Sequence, residues 1–246
     1  MKPVLIRQHE ETAPPGLLVD WLRERGIPFE VHPSWLEGVT PDLTNYSFAA
    51  SLGSAYGPND THEPAVVREL ELIKTAVEKE VPVLGLCFGG EVLSAVLGGH
   101  VEYAPVPELG WREIESNDPV AVPAGPWLEW HYERFSTPPG AIELARTADA
   151  VQAFRYGPHL GLQFHPESTV EIVSRWASMD AERLAEFGIE DGAELLAAPP
   201  ELQEAAREAA FGLFDAFLRA ALVEISVDNA VIQGAVSKIE VDPYQA

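Results

Sequence analysis

The chain has 246 residues, of which 46% are hydrophobic, and a formal net charge of −23 at pH 7. This length and composition predict one globular domain with a sizeable core, and the charge argues against nucleic acid as the main partner, because phosphate binding needs clustered Lys and Arg. No apolar run approaches the roughly 20 residues that span a bilayer, and the first residues lack the features of a signal peptide. We therefore expect a cytoplasmic protein without a membrane partner. The acidity is compatible with simple solubility and with an acidic docking face for a basic partner.

Strand-like and helix-like segments alternate through the first half of the chain. Apolar runs bounded by turn residues predict strands at Val4–Ile6, Pro28–Val31, Ser47–Leu52 and Val81–Leu86. Apolar residues at helical spacing predict helices from Leu17 to Gly26 and from Pro64 to Glu80. This order predicts an α/β fold, with a mostly parallel sheet, helices on both faces, and ligands beyond the carboxyl ends of the strands.

The second half of the chain is less regular. From His100 to Gly161 it is rich in Pro and aromatic residues, which predicts shorter strands and long loops. Helices are predicted at about Thr169–Glu186 and Glu201–Leu222, with an acidic connector between them at Gly188–Pro200. We expect residues 1–222 to form the domain. In the tail, residues 223–246, apolar and polar residues alternate, which indicates either a short β-hairpin or a frayed terminus.

Cys87 is the only cysteine of the chain, and it lies between an apolar strand and a helix. Gly85 and Gly89 stand two residues to either side, as in a nucleophile elbow with Cys in place of Ser. The helix amino terminus is expected to favour the thiolate, and the N–H of Phe88 to point towards a developing oxyanion. These features predict that Cys87 is a nucleophile.

A second segment supplies a candidate base. The apolar run Leu160–Phe164 ends in His165, followed by Pro166 and Glu167. His165 is expected to take the proton of Cys87, and Glu167 to hold the imidazole in the required tautomer.

We expect no metal and no cofactor. A single cysteine cannot form a multi-cysteine metal cluster, and there is no phosphate-binding loop of the P-loop type. The remaining histidines that we considered lack metal-ligand spacing, and each is expected to be a surface or core residue: His9, His32, His62, His100 and His159.

Together these segments resemble the class I glutamine amidotransferases. The two central motifs are the residues around Cys87 and the segment Gly161–Glu167, and supporting matches lie at residues 108–111, 130–135 and 152–157. The resemblance covers roughly residues 3–222, and the order of the motifs is similar to that of the stand-alone, GMP-synthase-like members. It implies a flavodoxin-like sheet and a Cys-His-Glu triad of Cys87, His165 and Glu167.

The resemblance also implies an activity. Cys87 would form a γ-glutamyl thioester with glutamine, releasing ammonia, and water would then release glutamate. The second oxyanion donor would be Gly53, or Ser54 if the alignment shifts by one residue. Substrate contacts would come from four further positions, namely Gly110, Trp111, His131 and Tyr132.

Two residues depart from the family pattern. Glu91 stands where the family usually has Gln, and its spacing puts it on the same helix face as Cys87. An ionised Glu only accepts hydrogen bonds and opposes thiolate formation by like-charge repulsion. Glu91 could meet the α-ammonium group of glutamine, indicate another substrate, or be a tolerated replacement. Glu133 likewise occupies a position where the family often has Asp.

Three functions are therefore weighed from the sequence. The first is a glutaminase that passes ammonia to a separate synthetase partner. The second is a free-standing hydrolase of a γ-glutamyl conjugate, so that the small-molecule substrate is either glutamine or a γ-glutamyl compound. The third is a catalytically silent binding protein, against which the intact triad argues.

Overall fold

The computed structural model describes residues 2–36 and 40–239, with the side chains of its last helix described as far as residue 221. The first four strands are β1 (Val4–Gln8), β2 (Phe29–Pro33), β3 (Ala49–Ser51) and β4 (Val83–Leu86). The next six are β5 (Val101–Arg112), β6 (Glu115–Ser116), β7 (Trp127–Phe135), β8 (Ile142–Arg146), β9 (Val151–Tyr156) and β10 (His159–Leu162). The helices are α1 (Gly16–Glu24), α2 (Pro64–Glu78), α3 (Phe88–Val96), α4 (Val170–Met179), α5 (Ala181–Glu186) and α6 (Pro200–Ile239). Short 3-10 helices lie at Leu43–Asn45 and Gly192–Leu196.

Eight strands form the main sheet in the order β2-β1-β3-β4-β10-β9-β8-β6. The strands from β2 to β10 pair in parallel, and β9, β8 and β6 extend the sheet in antiparallel fashion. The parallel part has the strand order of a flavodoxin-like fold. The predicted α/β class with a mostly parallel sheet is thus confirmed.

The core lies on both faces of this sheet, because successive strand residues point to opposite sides. Ile6, Leu84 and Leu86 pack in the cluster that also contains residues of α1 and α6. Leu5 and Val83, their neighbours in sequence, pack with residues of α2 and α3 on the other side. The helices therefore cover both faces, as predicted, and the carboxyl ends of the parallel strands stay open for a site.

Strands β5 and β7 form a separate two-stranded antiparallel sheet. They are 12 and 9 residues long, so the prediction of only short strands in this part of the chain is wrong for them. Pro105 and Pro107 lie in β5, where the register shifts between Tyr103 and Glu108. A two-stranded sheet tolerates them there because the regular ladder is already interrupted. Residues of α4, α5 and the second 3-10 helix pack against this ribbon in a third apolar cluster.

Two helix predictions need correction. The helix predicted at Thr169–Glu186 is divided at Asp180, which ends α4 and begins α5, in keeping with the preference of Asp for helix ends. The hairpin predicted for residues 223–246 is wrong over residues 223–239, because α6 continues through Ile239. Extending an existing helix adds a hydrogen bond per residue without a new nucleation cost, and no proline interrupts this stretch. Residues 240–246 lie outside the described residues.

Neither membrane spans nor metal clusters appear in the described ranges. None of the helices there combines the length and apolarity needed to cross a membrane. In the same ranges, no group of three or more His, Cys, Asp or Glu is arranged to hold a metal ion.

Candidate active site

Cys87 occupies a sharp turn between β4 and α3. Its backbone has φ 50° and ψ −109°, a conformation that L residues rarely adopt, and its N–H donates to the carbonyl oxygen of Leu162 at 2.9 Å. A Cβ on Gly89 would overlap the carbonyl oxygen of Ser51, so the start of α3 packs directly on the end of β3. This is the strand–turn–helix geometry of a nucleophile elbow, with strain stored at the nucleophile position.

His165 faces the same cavity as Cys87. Its Nδ1 lies 2.8 Å from Oε1 of Glu167, and because a carboxylate only accepts, Nδ1 is the protonated nitrogen. Nε2 is buried and has no hydrogen-bond partner among the described residues. The lone pair of Nε2 is therefore available for a proton from the thiol or from a ligand.

The surroundings of Cys87 favour the thiol over the thiolate. Burial raises the pKa of the Cys87 thiol well above its ordinary value, and the charges of Glu91 and Glu167 raise it further, against a smaller lowering by the N–H of Phe88. The expectation that the helix amino terminus favours the thiolate therefore stays a prediction, since burial acts in the opposite direction. Desolvation of a group with only 7% exposure outweighs one backbone N–H.

Gly53 and Ser54, the two candidates for the second oxyanion donor, both line the cavity. A Cβ on Gly53 would lie 3.0 Å from Cε1 of His165 and 3.8 Å from Cβ of Cys87, so its backbone borders the reacting groups. The hydroxyl of Ser54 accepts from the N–H of Tyr56 at 3.1 Å. The carboxylate of Glu10 accepts from the N–H of Ala55 and holds this loop in place.

Glu91 reaches the cavity from the first turn of α3, as its spacing from Cys87 predicts. Its side chain is buried, and Oε1 accepts from Nε2 of Gln163 at 2.9 Å. Burial raises the pKa of Glu91 to about 7, and the charge of Glu133 adds to that rise. The buried carboxyl group is therefore divided between its charged and neutral forms near neutral pH.

His131 sits in a buried ionic cluster that the sequence did not predict. Nδ1 donates to the carbonyl oxygen of Glu133 at 2.7 Å, and Nε2 lies 3.4 Å from Oε2 of Glu108 and 3.2 Å from Oε2 of Glu129. These carboxylates overcome desolvation and raise the pKa of His131 to about 10. Gln152 donates to Glu108 at 2.7 Å. The cluster gives the cavity wall a buried imidazolium.

Tyr132 belongs to a second polar group on the cavity wall. Its hydroxyl donates to Oδ2 of Asp180 at 3.1 Å, and Nε1 of Trp130 donates to the same oxygen at 2.9 Å. The guanidinium of Arg183 lies 3.4 Å above the Tyr132 ring, a cation–π arrangement. Asp180 and Arg183 come from the α4–α5 junction, and only the packing of these helices on β7 brings them here.

Gly110 and Trp111 lie away from the cavity, so the structure gives no support to their predicted substrate contacts. A Cβ on Gly110 would overlap the backbone of Leu195, and Nε1 of Trp111 donates to the carbonyl oxygen of Leu196 at 3.3 Å. The second 3-10 helix, from the acidic connector, covers this part of β5.

The cavity thus joins residues from distant parts of the chain. Of the predicted site residues, it is lined by Cys87, His165, Gly53, Glu91, His131 and Tyr132, and also by Ser54, the alternative to Gly53. It is also lined by residues that were not predicted as site residues, among them Glu10, Tyr56, Asp60, Tyr103, Trp130, Glu133, Trp176, Asp180 and Arg183. The only sequence signal for these was that Trp130 and Glu133 lie in a block used for the family resemblance.

The sheet order, with a cysteine at the sharp turn after β4, defines an α/β protein of the nucleophile-elbow class. The model of the family "Glutamine amidotransferase class-I" matches residues 18–173. The chain belongs to this family, as the resemblance implied.

Among curated relatives, a GMP synthase [glutamine-hydrolyzing] of Aeropyrum pernix is 31% identical over 181 residues, which are 66% of this chain and 33% of the relative. The corresponding protein of Thiobacillus denitrificans is 30% identical over 170 residues, 62% of this chain and 32% of the relative. The chain thus spans about a third of the length of these relatives.

Two solved structures match nearly the whole chain. A glutamine amidotransferase from Methylobacillus flagellatus has a TM-score of 0.78 and 29% identity, and the match covers 89% of this chain and 95% of that one. A glutamine amidotransferase from Thermotoga maritima has a TM-score of 0.78 and 26% identity, with 88% and 98% covered. The fold of this protein is that of the class I glutamine amidotransferases.

Proposed function

We propose that this protein is a glutaminase that hydrolyses a γ-glutamyl amide through a thioester on Cys87. The observation that carries the proposal is the pairing of the strained Cys87 turn with the unpartnered Nε2 of His165 on one cavity. Membership of the class I glutamine amidotransferase family supports glutamine as the reference substrate.

In the first half of the reaction, Nε2 of His165 takes the thiol proton as Sγ of Cys87 attacks the γ-carbonyl carbon. Nδ1 stays hydrogen-bonded to Glu167, whose carboxylate stabilises the imidazolium. The backbone N–H groups of Phe88 and Gly53 are our candidate donors to the oxyanion. Because burial raises the pKa of the thiol, transfer of its proton to His165 accompanies the attack.

In the second half, the carbon–nitrogen bond breaks and His165 gives its proton to the departing nitrogen, which leaves as ammonia. A γ-glutamyl thioester remains on Cys87. Water then attacks the thioester carbonyl while His165 takes one of its protons, and the thiolate leaves and recovers that proton. Glutamate is the second product, and both the cysteine and the histidine return to their starting states.

We further propose that the ammonia is passed to a separate acceptor enzyme. The relatives of Aeropyrum pernix and Thiobacillus denitrificans are named glutamine-hydrolysing GMP synthases, and this chain matches only about a third of each. A relative of Ignicoccus hospitalis, 36% identical over 95 residues, is named as one subunit of such an enzyme. These names support a synthetase partner for the amidotransferase described here.

A direct test follows glutamate and ammonia release from glutamine by the purified chain. We expect Cys87→Ala and His165→Asn each to lower kcat by roughly 10³-fold or more, since both groups act in the same steps. His62→Asn, a change of an exposed histidine outside the cavity, is the matched control and should leave kcat unchanged. Turnover by Cys87→Ala at the parent rate would sink the proposal.

The rival function is hydrolysis of a γ-glutamyl conjugate. It is favoured by a specific observation, that the cavity extends past Glu91 to Tyr56, Tyr103 and Arg183, giving room for more than an amide nitrogen. Testing γ-glutamyl amides beside glutamine in the same assay distinguishes the two functions. A chain inactive on all of them, alone and with a synthetase partner, would instead match the silent binding protein.

A further inference from the structure

The cavity that holds Cys87 is strongly acidic. Five carboxylic acids line it, namely Glu10, Asp60, Glu91, Glu133 and Asp180. Among the described lining residues, Arg183 is the one Lys or Arg. The positive charge of His131 is balanced by the carboxylates of Glu108 and Glu129, which are not among the residues that line the cavity. A concave site with this balance concentrates cations and disfavours anions.

Three of these acids form a row that leads away from the nucleophile. Glu91 is one helical turn beyond Cys87, and the charge of Glu133 raises its pKa. Burial and the charge of Asp60 raise the pKa of Glu133 in turn. Gly57 lies between Asp60 and Glu133. Its N–H donates to Oδ2 of Asp60 at 2.9 Å, and a Cβ atom added to it would overlap Oε2 of Glu133. Glu133 is therefore repelled by an acid on each side, Glu91 and Asp60, and a bound cation would relieve that repulsion.

The three carboxyl groups of this row differ in the hydrogen bonds that they accept from the protein. Glu91 accepts from Gln163, and Asp60 accepts from the N–H of Gly57. The half-buried carboxylate of Glu133 has no hydrogen-bond or ion-pair partner among the described residues. Arg183 instead stacks on Tyr132. Glu133 is thus the acid in this row without a direct partner among the described residues, although the charge of Arg183 acts against the rise in its pKa.

Other groups on the cavity show that a ligand is to be bound there. Nε2 of His165 is buried, unpartnered and on the same cavity. Tyr56 and Tyr103 line the outer part with exposed rings, which can receive an alkylammonium group on their faces. Free glutamine brings one ammonium and one carboxylate, so it leaves the excess of negative charge on the wall uncompensated.

Resting on the proposed Cys87 thioester chemistry in its conjugate-hydrolase form, and not on ammonia transfer to a synthetase, we infer that the preferred substrate is the γ-glutamyl monoamide of a diamine, whose distal ammonium group lies against Glu133 and Asp60. Sγ of Cys87 forms its bond to the γ-carbonyl carbon, and the bond from that carbon to the substituted nitrogen breaks. His165 protonates this nitrogen, so the diamine leaves in place of ammonia. Water then releases glutamate from the thioester. Arg183, on the same wall, is available to the α-carboxylate.

The test compares four substrates that share the γ-glutamyl group. They are glutamine and the amides of n-butylamine, 1,4-diaminobutane and 4-aminobutyrate, so the last three have neutral, cationic and anionic ends on chains of similar length. We expect kcat/KM for the diaminobutane amide to exceed that for the butylamide about tenfold or more, and the aminobutyrate amide to be the poorest. The advantage should shrink as salt is raised.

Two double variants show where the preference originates. Asp60→Asn with Glu133→Gln should bring the ratio of cationic to neutral substrate close to one. Asp20→Asn with Glu78→Gln makes the same change in net charge at exposed positions outside the cavity, so it should keep the parent ratio. If both double variants lost the preference for the cationic substrate equally, the cause would be the net charge of the protein, and the inference would be overturned.

Failure of this inference can be separated from failure of the proposed function. If the parent cleaves the panel in a Cys87-dependent way but shows no preference for the cationic amide, the inference is wrong and the proposed function stands. If no amide is cleaved, the proposed function fails. Binding of the diaminobutane amide and the butylamide to Cys87→Ala, measured by calorimetry, then decides the inference: tighter binding of the cation supports it, and equal binding overturns it.

Discussion

Burial shifts the proton affinity of two neighbouring groups at the site, the Cys87 thiol and the Glu91 carboxyl, and both shifts favour the neutral form. Each charge would have to lose its water, and each raises the cost of the other because both are anionic. His165 is oriented by Glu167 to remove the thiol proton when a substrate arrives. Lowering the pH below 7 therefore favours the neutral form of Glu91 beside the buried thiol.

Replacing Glu91 should stabilise the protein in a pH-dependent way. The pKa of Glu91 is about 7 in the folded state and near 4.5 in the unfolded chain, so stability falls as pH rises between these values. The Glu91→Gln variant has no carboxyl group to ionise at this position, so its stability should not fall over this pH range. We expect little change at pH 4.5 and a gain of up to about 3 kcal/mol at pH 8.

Urea unfolding of Glu91→Gln and the parent at both pH values measures this difference. Glu78→Gln, at an exposed position on α2, is the control and should show no such trend. A Glu91→Gln effect that is the same at pH 4.5 and pH 8 would contradict the assigned shift.

At the scale of elements, the elbow depends on close backbone contact between β3, β4, β10 and α3. Cβ atoms on Gly85, Gly89 and Gly90 would meet the backbone of Gly89, Ser51 and Leu162 respectively. The helix can therefore begin directly against the strand ends, which brings Cys87 beside Gly53 and His165. Backbone approach, rather than glycine flexibility, explains these residues, since none of the three has a positive φ.

A methyl group at position 89 should separate these elements. Gly89→Ala places a Cβ against the carbonyl oxygen of Ser51, a backbone atom that cannot yield without moving β3. We expect a loss of about 1–3 kcal/mol in the free energy of unfolding and at least a tenfold loss of kcat.

Gly212→Ala is the matched control, because Gly212 lies in α6 with no atom near its added Cβ. The same substitution there should stabilise the protein by up to about 1 kcal/mol. If Gly89→Ala were as stable and active as the parent, the packing account of the elbow would be wrong.

At the scale of the whole molecule, α6 packs against α1 and covers one face of the sheet. Nε1 of Trp21 in α1 donates to Asp215 at 2.9 Å, and the ring of Phe214 lies 5.5 Å from that of Trp21. Phe217 makes an edge contact with Phe48 at 5.2 Å. This face of the core therefore depends on a helix that contacts α1 across a sequence separation of 194 residues.

Phe214→Ala should destabilise the protein by about 3–5 kcal/mol, because a fully buried ring leaves a cavity at the junction of α1 and α6. Glu208→Ala, on the exposed side of the same helix, should change stability by less than about 0.5 kcal/mol. Thermal and urea unfolding check both values. Equal stability of the two variants would contradict the packing of α6 described here.

The sequence was informative wherever a local pattern has a single structural solution. An apolar run with Cys87 and flanking glycines predicts an elbow, and alternating strands and helices predict a parallel sheet, because backbone sterics and hydrophobic periodicity act over a few residues. The parallel sheet and the helices on both faces followed from these patterns, and the flavodoxin-like arrangement was implied by the family resemblance. The hairpin predicted after residue 222 failed because a two-residue alternation over so few positions cannot outweigh continuation of an established helix.

The sequence by itself therefore determined the fold class, the elbow and the candidate nucleophile and base of this protein. Only the tertiary structure decided the charge of the site. Glu91, Glu133 and Asp60 come from different elements, and their mutual repulsion exists only when packing removes water between them. Packing likewise placed Gly110 and Trp111 under the connector and brought Arg183 to Tyr132. Long-range packing and desolvation set the proton affinities, and no short stretch of sequence contains either.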